Sequence, residues 1–294
     1  MSYTFIDLFA GIGGFHLALH KVGMECVFAS EIDETARQSY VNNFEKISPG
    51  LFENNLFNKD IFTLDTNDIP NFNIICGGFP CQPFSQIGKK KGFNESLEGR
   101  GNLFYEILRI IEDKRPDGFF LENVRHLLNH DSGNTFETIK QSLERENYSF
   151  NYKVIKASDF NLPQLRPRIF MVGFDKSKYG DKEFKFPDPI PLTTSMSDVF
   201  NAKCSREIGF TLRVGGRGSA ISDRRNWDGY IVNGKELRLS PLEGLRMQGF
   251  PDDFILSDSK VKSMKLLGNS VAVNVIENIG ENIKSYLEDG IKYV

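Results

Sequence analysis

Residues 73–85 constrain the fold of this chain more than any other stretch. They read Asn73-Ile74-Ile75-Cys76-Gly77-Gly78-Phe79-Pro80-Cys81-Gln82-Pro83-Phe84-Ser85. Consecutive apolar residues bounded by glycine and proline suit a strand covered on both faces of a parallel sheet. Pro80 and Pro83 then remove backbone donors and fix φ, so neither strand nor helix continues through them. This predicts that Cys81 is held at the carboxyl edge of an open α/β sheet, where such folds place their ligands. A lone thiol is more often a core residue than a nucleophile, and the rest of the chain has to decide between the two.

Strand-like and helical runs alternate on both sides of that stretch. Residues 3–9 lead into Ala10-Gly11-Ile12-Gly13-Gly14, and an amphipathic helix is expected over 15–22. A second apolar run, 25–30, ends at Glu31, and Asp60 stands where another strand should end. Leu103, Phe104, Ile107, Leu108 and Ile111 share one face of a helix expected over 103–114, and Phe136, Ile139 and Leu143 mark another. Further strands are expected at 117–121, 152–156 and 169–174. Alternation at this spacing predicts a parallel or mixed sheet with helices on both faces. The 294 residues, 40% of them hydrophobic, suffice for one large domain and a small one. Residues 1–178 with 262–294 are expected to form the large domain. The prolines at 187, 189 and 191 open a small, irregular, largely β domain over 179–261.

The glycine turn is not a dinucleotide fingerprint. Gly11 and Gly13 fit GxGxxG, but His16 occupies the third glycine's place, which disfavours a nicotinamide-dependent oxidoreductase. Glu31, about 20 residues on, can accept ribose hydroxyls, while no Walker lysine follows the glycines. A nucleoside pocket without a phosphate anchor is the expected result.

Four cysteines, at 26, 76, 81 and 204, form no CxxC pair, so neither a disulfide framework nor a zinc site is expected, and the location should be reducing and cytoplasmic. No run approaches about 18 apolar residues, so no membrane span is expected, and the start lacks a secretory pattern. His16/His20 and His126/His130 have helical i, i+4 spacing, but without an HExxH context no metal is expected. The formal net charge of −3 argues against gross affinity for nucleic acid, yet residues 203–246 carry nine Lys/Arg against five Asp/Glu. Arg213, Arg217, Arg224 and Arg225 lie there among glycines. They suit either a loose surface loop or a segment reading base edges. Residues 82–102, with four glycines and Lys89-Lys90-Lys91, read as a solvated loop or as a lid over a polyanion, and the lid is favoured.

Taken in order, these blocks resemble the cytosine-C5 DNA methyltransferases, in the style of type II restriction-modification enzymes. Asp7-Leu8-Phe9-Ala10-Gly11-Ile12-Gly13-Gly14 is similar to the family's S-adenosylmethionine block, and Gly78-Phe79-Pro80-Cys81-Gln82 to its nucleophile block. Gly101-Asn102-Leu103-Phe104 is similar to the block that follows the loop. Glu122-Asn123-Val124 matches its ENV signature, and Gln164, Arg166 and Arg168 its QxRxR. Arg238, Ser240, Glu243, Arg246 and Gln248 through Pro251 match the late block, and Gly268-Asn269-Ser270-Val271 the terminal one. The resemblance runs from Asp7 to Val271 and leaves a short variable segment, from about Asp175 to Leu237, as the recognition region.

The resemblance implies a Rossmann-like S-adenosylmethionine-dependent sheet. It implies cofactor contacts from Phe9, Ala10, Gly11, Gly13, Gly14, Glu31 and Ile32. Asp60, Ile61, Gly78, Pro80, Leu103, Asn269 and Ser270 would complete them. It further implies that Cys81 adds to C6 of a flipped-out cytosine, that Glu122 hydrogen-bonds N3, that Arg168 holds O2, and that Arg166 supports the site and the DNA backbone. Gln82, Ser85 and Lys89–Lys91 would meet DNA along with the four arginines. The implied partner is duplex DNA, bound by a monomer, with a separately acting cognate restriction endonuclease as a further candidate. Two rivals are a tRNA-methylating branch and a non-catalytic DNA-binding relative. The presence of Cys81, Glu122 and Arg168 counts against the second. Amino-group DNA methyltransferases would carry a Pro-Pro-aromatic motif, and this chain has no Pro-Pro.

Overall fold

The computed structural model describes residues 2–80 and 103–290. Cys81, Gln82, Ser85 and Lys89–Lys91 lie outside the described residues. In chain order the strands are β1 (Thr4–Leu8), β2 (Glu25–Ser30), β3 (Phe57–Asn58), β4 (Ile74–Gly78), β5 (Gly118–Val124), β6 (Asn151–Lys156), β7 (Pro167–Phe174), β8 (Gly229–Val232) and β9 (Lys235–Arg238). The helices are α1 (Gly14–Lys21), α2 (Glu34–Phe44), α3 (Pro49–Glu53), α4 (Leu103–Lys114), α5 (Asn134–Arg145), α6 (Lys176–Tyr179), α7 (Met196–Phe200), α8 (Pro241–Gln248), α9 (Lys260–Asn269) and α10 (Val273–Gly290).

Seven strands form one sheet in the order β3-β2-β1-β4-β5-β7-β6. Strands β3, β2, β1, β4 and β5 pair in parallel, whereas β7 is antiparallel to both β5 and β6. The sheet is therefore mixed, as the alternation predicts. Side chains of successive strand residues go to opposite faces, and two apolar clusters result. Phe5, Ile74, Cys76, Phe120, Phe170 and Val172 face α1 and α10. Ile6, Leu8, Ile75, Phe119, Leu121 and Met171 face α4 and α5. Burial on both faces explains why β4 and β5 read as unbroken apolar runs rather than alternating ones.

The order places a topological switch between β1 and β4. From β1 the chain moves outward to β2 and β3, then returns to β4 on the other side of β1. Leu8 pairs with Gly77 in the last register position. The glycine turn after β1 and the Phe79-Pro80 exit from β4 therefore leave the same sheet edge side by side, in the crevice where open α/β sheets bind ligands.

The region 179–261 contains less β structure than expected. It has one hairpin, β8–β9, two short helices, α7 and α8, and otherwise irregular chain. The hairpin turn is Asn233-Gly234, with φ of 49° and 76°, the conformation that a two-residue connection between antiparallel strands favours. Trp227, Tyr230, Met196 and Met247 belong to the same apolar cluster as Phe5 and Phe120. The core thus runs without a break from one face of the sheet into this region.

Candidate active site

The glycine turn is built by backbone shape. Phe9 and Gly11 take φ of 55° and 56°, and Gly13 takes 85°. Gly13 precedes α1 with no side-chain cap, and a methyl group on it would overlap the Phe44 ring. Ala10 is buried, and a Cβ on Gly11 would meet nothing within 4 Å, so open space adjoins the turn there. Where the dinucleotide pattern has its third glycine, the buried His16 stacks on Phe44 and bonds Tyr40 through Nδ1 at 2.6 Å and Ser48 through Nε2 at 3.0 Å. Burial lowers its pKa to about 3, so it is a neutral packing residue.

Glu31 closes the turn from the next strand. Its Oε2 accepts from Gly11 N at 2.8 Å and its Oε1 from Asp33 N at 2.7 Å. Burial raises its pKa above the usual carboxylate range, and these backbone N–H groups pull it partly back. Each carboxylate oxygen has a second lone pair, so both can still accept a ligand hydroxyl. Arg37 fixes this corner by donating to Glu31 O, Asn58 O and Phe57 O at 3.0, 2.6 and 3.0 Å. Sequence reading missed Arg37 because its role is to hold carbonyls, which no motif encodes. Ile32 leaves an apolar side chain 57% exposed beside Glu31. Asp60, just past β3, is half-buried and accepts from Phe62 N at 3.1 Å, starting a turn that buries Ile61.

Glu122 and Arg168 meet across β5 and β7. Arg168 Nε lies 2.9 Å from Glu122 Oε1, with side chains 15% and 10% exposed, and Arg168 Nη1 donates to Pro167 O at 2.9 Å. Burial raises the Glu122 pKa, and the Arg168 and Arg166 charges lower it in part. A Cβ on Gly78 would come 3.3 Å from Glu122 Oε2 and 3.9 Å from Val271, so the missing side chain leaves the carboxyl its place. Asn123, named before only as part of a motif, donates to Phe79 O at 2.9 Å and accepts from Val124 N at 2.8 Å. It ties the strand carrying Glu122 to the backbone two residues before Cys81. Pro80 is exposed at the end of that segment, and Leu103, half-buried, opens α4.

The terminal block joins these parts. A Cβ on Gly14 would meet Val271 Cγ2 at 2.6 Å and Ser270 Oγ at 3.2 Å. Ser270 is buried, and Asn269 is exposed at the end of α9. Arg166 is 2% exposed and donates to Leu212 O at 3.2 Å, to Gly268 O at 3.1 Å and to Ser270 O. It offers no open face to a DNA phosphate, so the expected backbone contact gives way to internal bracing. Burial lowers its pKa to about 9.

The four candidate DNA-reading arginines divide. Arg213 and Arg224 are exposed and make no hydrogen bond or ion pair with another described residue. Arg217 is held by Asp228 at 3.4 Å and donates to Leu239 O at 2.9 Å. Arg225 is 74% exposed but paired with Asp223 at 2.7 Å. Among the described residues no group of three or more His, Cys, Asp or Glu could hold a metal ion, and no helix is long and apolar enough to cross a membrane.

A mainly parallel sheet with a glycine turn and an acidic partner at its switch point, next to a largely buried carboxylate–arginine pair, belongs to the class of α/β folds that bind a nucleoside-bearing ligand at that edge. Comparison with known proteins narrows it. The C-5 cytosine-specific DNA methylase family model matches residues 3–213 and 205–285. The chain is 37% identical to the type II methyltransferase M.HhaI of Haemophilus parahaemolyticus, over 96% of this chain and 94% of that protein. It is 39% identical to M.SsoII of Shigella sonnei, over 97% of this chain and 81% of that one. The fold is shared with a putative DNA modification methyltransferase encoded within an E. coli prophage, at TM-score 0.73 and 22% identity over 98% of this chain and 100% of that one. It is shared too with the S. pombe Dnmt2 methyltransferase, at TM-score 0.71 and 19% identity over 98% of this chain and 99% of that one. The chain belongs to the C-5 cytosine-specific DNA methylase family. It is a DNA (cytosine-5-)-methyltransferase, and S-adenosylmethionine is its methyl donor.

Proposed function

We propose that this enzyme methylates one cytosine in a specific duplex sequence, with Cys81 as nucleophile and the Glu122–Arg168 pair as the group that stabilises charge on the base. The observation that carries this reading is the arrangement at the switch point. Gly11 and Glu31, the Gly78–Pro80 exit and the Glu122–Arg168 pair all converge on one sheet edge.

Cytosine C5 is a weak nucleophile inside an aromatic ring. Addition of the Cys81 thiolate forms an S–C6 bond, and the C5–C6 π pair moves onto C5. Charge develops toward N3 and O2 as that bond forms. Glu122 in its protonated form donates to N3, a state that burial favours, while Arg168 holds O2. S-adenosylmethionine, when bound, supplies an electrophilic methyl group on a sulfonium. Loss of the C5 proton, with water as the proposed acceptor, and cleavage of S–C6 then restore the ring and release Cys81. Inside a duplex the base hides C5 and C6, so it has to be flipped out. Closure over it is the role proposed for residues 82–102, with Gln82 and Ser85 near the base and Lys89–Lys91 near phosphate.

The residues present fit the cofactor. The open space at Gly11 admits a ligand against the backbone, Glu31 has lone pairs to spare for ribose hydroxyls, and the exposed Ile32 offers an apolar face to a purine. Asp60 and Ile61, Leu103, and Asn269 with Ser270 are proposed to complete the pocket. Residues 179–261 are proposed as the recognition unit, with Arg213 and Arg224, exposed and unpaired among the described residues, as its candidate DNA contacts. We also place the enzyme in the cytoplasm as a monomer, protecting host DNA from a separate cognate endonuclease. Incubation of random-sequence duplex DNA with enzyme and S-adenosylmethionine, followed by bisulfite sequencing, tests the reading. One sequence motif with one protected cytosine is expected. Methylation of transfer RNA but not of duplex DNA would overturn it.

A further inference from the structure

Gln164 is fully buried, with no exposed surface, and every polar atom of its side chain is occupied. Its Oε1 accepts from Leu212 N at 2.9 Å. Its Nε2 donates to Met247 O at 2.9 Å and to Gln248 Oε1 at 3.2 Å. Two residues on, Arg166 donates to Leu212 O at 3.2 Å. Both backbone polar groups of Leu212 are therefore held by side chains of one short segment. The backbone continues the same pairing upstream, with Gly209 N bonded to Pro163 O at 2.8 Å and Leu165 N to Gly209 O at 3.1 Å.

The next residue is the exposed Arg213. Its backbone is walled in from the other side by Gly268, where a Cβ would lie 2.7 Å from Arg213 C and O and 2.9 Å from Val214 N. Gln248 secures that wall, donating from Nε2 to Leu267 O at 2.8 Å. Leu212 is 1% exposed, and the two residues after it are exposed. The arginine-bearing loop thus leaves the protein from a point fixed on both sides. The segment that carries Gln164 and Arg166 runs on into Arg168, which holds Glu122 at 2.9 Å.

We propose that Gln164 is a positioning residue for sequence recognition: with Arg166 and Gly268 it clamps Leu212 and sets the register at which Arg213 and the loop beyond it meet the DNA. The proposal rests on the reading of residues 179–261 as the recognition unit. Gln164 acts on selectivity rather than chemistry, because its side chain bonds only Leu212, Met247 and Gln248, at the root of the loop, and neither Glu122 nor Arg168. A root free to shift by a fraction of an ångström lets the loop accept neighbouring sequences, and the discrimination of about tenfold or more that one base contact provides falls away.

The test compares wild type, Gln164→Ala and Gly268→Ala, two variants that loosen or push the same point from opposite sides. Site preference is read by methylating random-sequence duplex DNA and sequencing after bisulfite treatment. S-adenosylmethionine affinity is read by calorimetry and folding by thermal melting. Both variants are expected to methylate near-cognate sites, with preference for the cognate site reduced about tenfold. Gln164→Ala should bind S-adenosylmethionine within about twofold of wild type. Should Gln164→Ala fail to fold, Gly268→Ala, which leaves every Gln164 hydrogen bond donor and acceptor in place, carries the test alone. An unchanged site profile with a uniformly lower rate would overturn the proposal. A double variant, Arg213→Ala with Arg224→Ala, separates the two levels. If it alters the profile while the clamp variants do not, the clamp is refuted and the recognition reading stands. If it too leaves the profile unchanged, the recognition reading itself fails.

Discussion

Glu122→Gln perturbs the site at one atom's charge. The substitution keeps the size of the side chain and an oxygen able to accept from Arg168 Nε, now 2.9 Å away, but removes both the charge and the titrating proton. Arg168 keeps a neutral acceptor in place of a charged one. That difference is worth about 1–2 kcal/mol of stability, so the variant should fold. The larger effect is on rate. If Glu122 passes its proton toward N3 as charge develops on the base, Gln, whose amide N–H can donate to N3 but cannot transfer a proton, leaves that charge poorly neutralised, at a cost of about 3–4 kcal/mol, or on the order of 10²–10³ in kcat. The pH dependence gives a second reading. Burial raises the Glu122 pKa despite the pull of Arg168 and Arg166, so the protonated form persists above the ordinary carboxylate range. Wild-type kcat should fall as pH rises through that raised value, and Glu122→Gln should lack this limb. The stability sign follows the same rule. A carboxyl raised in the folded state contributes stability that is present below its unfolded pKa and is lost as pH rises through the folded one. The melting temperature of Glu122→Gln should therefore fall less steeply with rising pH than that of wild type. Single-turnover transfer of labelled methyl to duplex DNA carrying the cognate site measures the rate. A Glu122→Gln enzyme within about threefold of wild type, or one retaining the same pH limb, would refute the assignment, since a preorganised group is worth far more than that.

Two further outcomes follow from the cofactor corner and the glycine turn. Glu31→Ala removes the acceptor that holds Gly11 N and Asp33 N. It should weaken S-adenosylmethionine binding by about tenfold to a hundredfold, the value of charged hydrogen bonds, as titration calorimetry would report. Gly13→Ala places a side chain at φ 85° and against the Phe44 ring. With about 1–2 kcal/mol for the left-handed backbone and a similar sum for overpacking, denaturant melting should show a loss of about 2–4 kcal/mol.

What the sequence made legible is what depends on local pattern. The ends of β2 and α4 fall where the apolar runs end, and glycine and proline mark the ends of β1 and β4, whereas the switch point between those strands comes from the strand order. Glu122 and Arg168 could be paired beforehand only through their motifs, because their contact needs β7 to run antiparallel to β5, and that direction is set by packing. The left-handed backbone at Phe9, Asp131 and Ser132 has no side-chain signal, and residues 125–133 fold as a kinked 3-10 run that periodicity did not announce. In 179–261 the Asn233-Gly234 turn carries a hairpin signal that the sequence reading passed over, while the helices α7 and α8 are hidden by their shortness. Arg217 and Arg225 stand in the sequence as candidate DNA-reading residues on a par with Arg213 and Arg224, because Asp228 and Asp223, which hold them, are recognised as partners only once the loop is folded.

A cognate duplex with 5-fluorocytosine at the target position probes the covalent step through Cys81. After methyl addition, C5 holds fluorine where a proton would have left, so the S–C6 bond cannot be released. A stable protein–DNA adduct, resistant to denaturant, is expected only when S-adenosylmethionine is present, and none with Cys81→Ala. Methylation of ordinary DNA with no adduct on the fluorinated duplex, or an adduct that survives in Cys81→Ala, would contradict it.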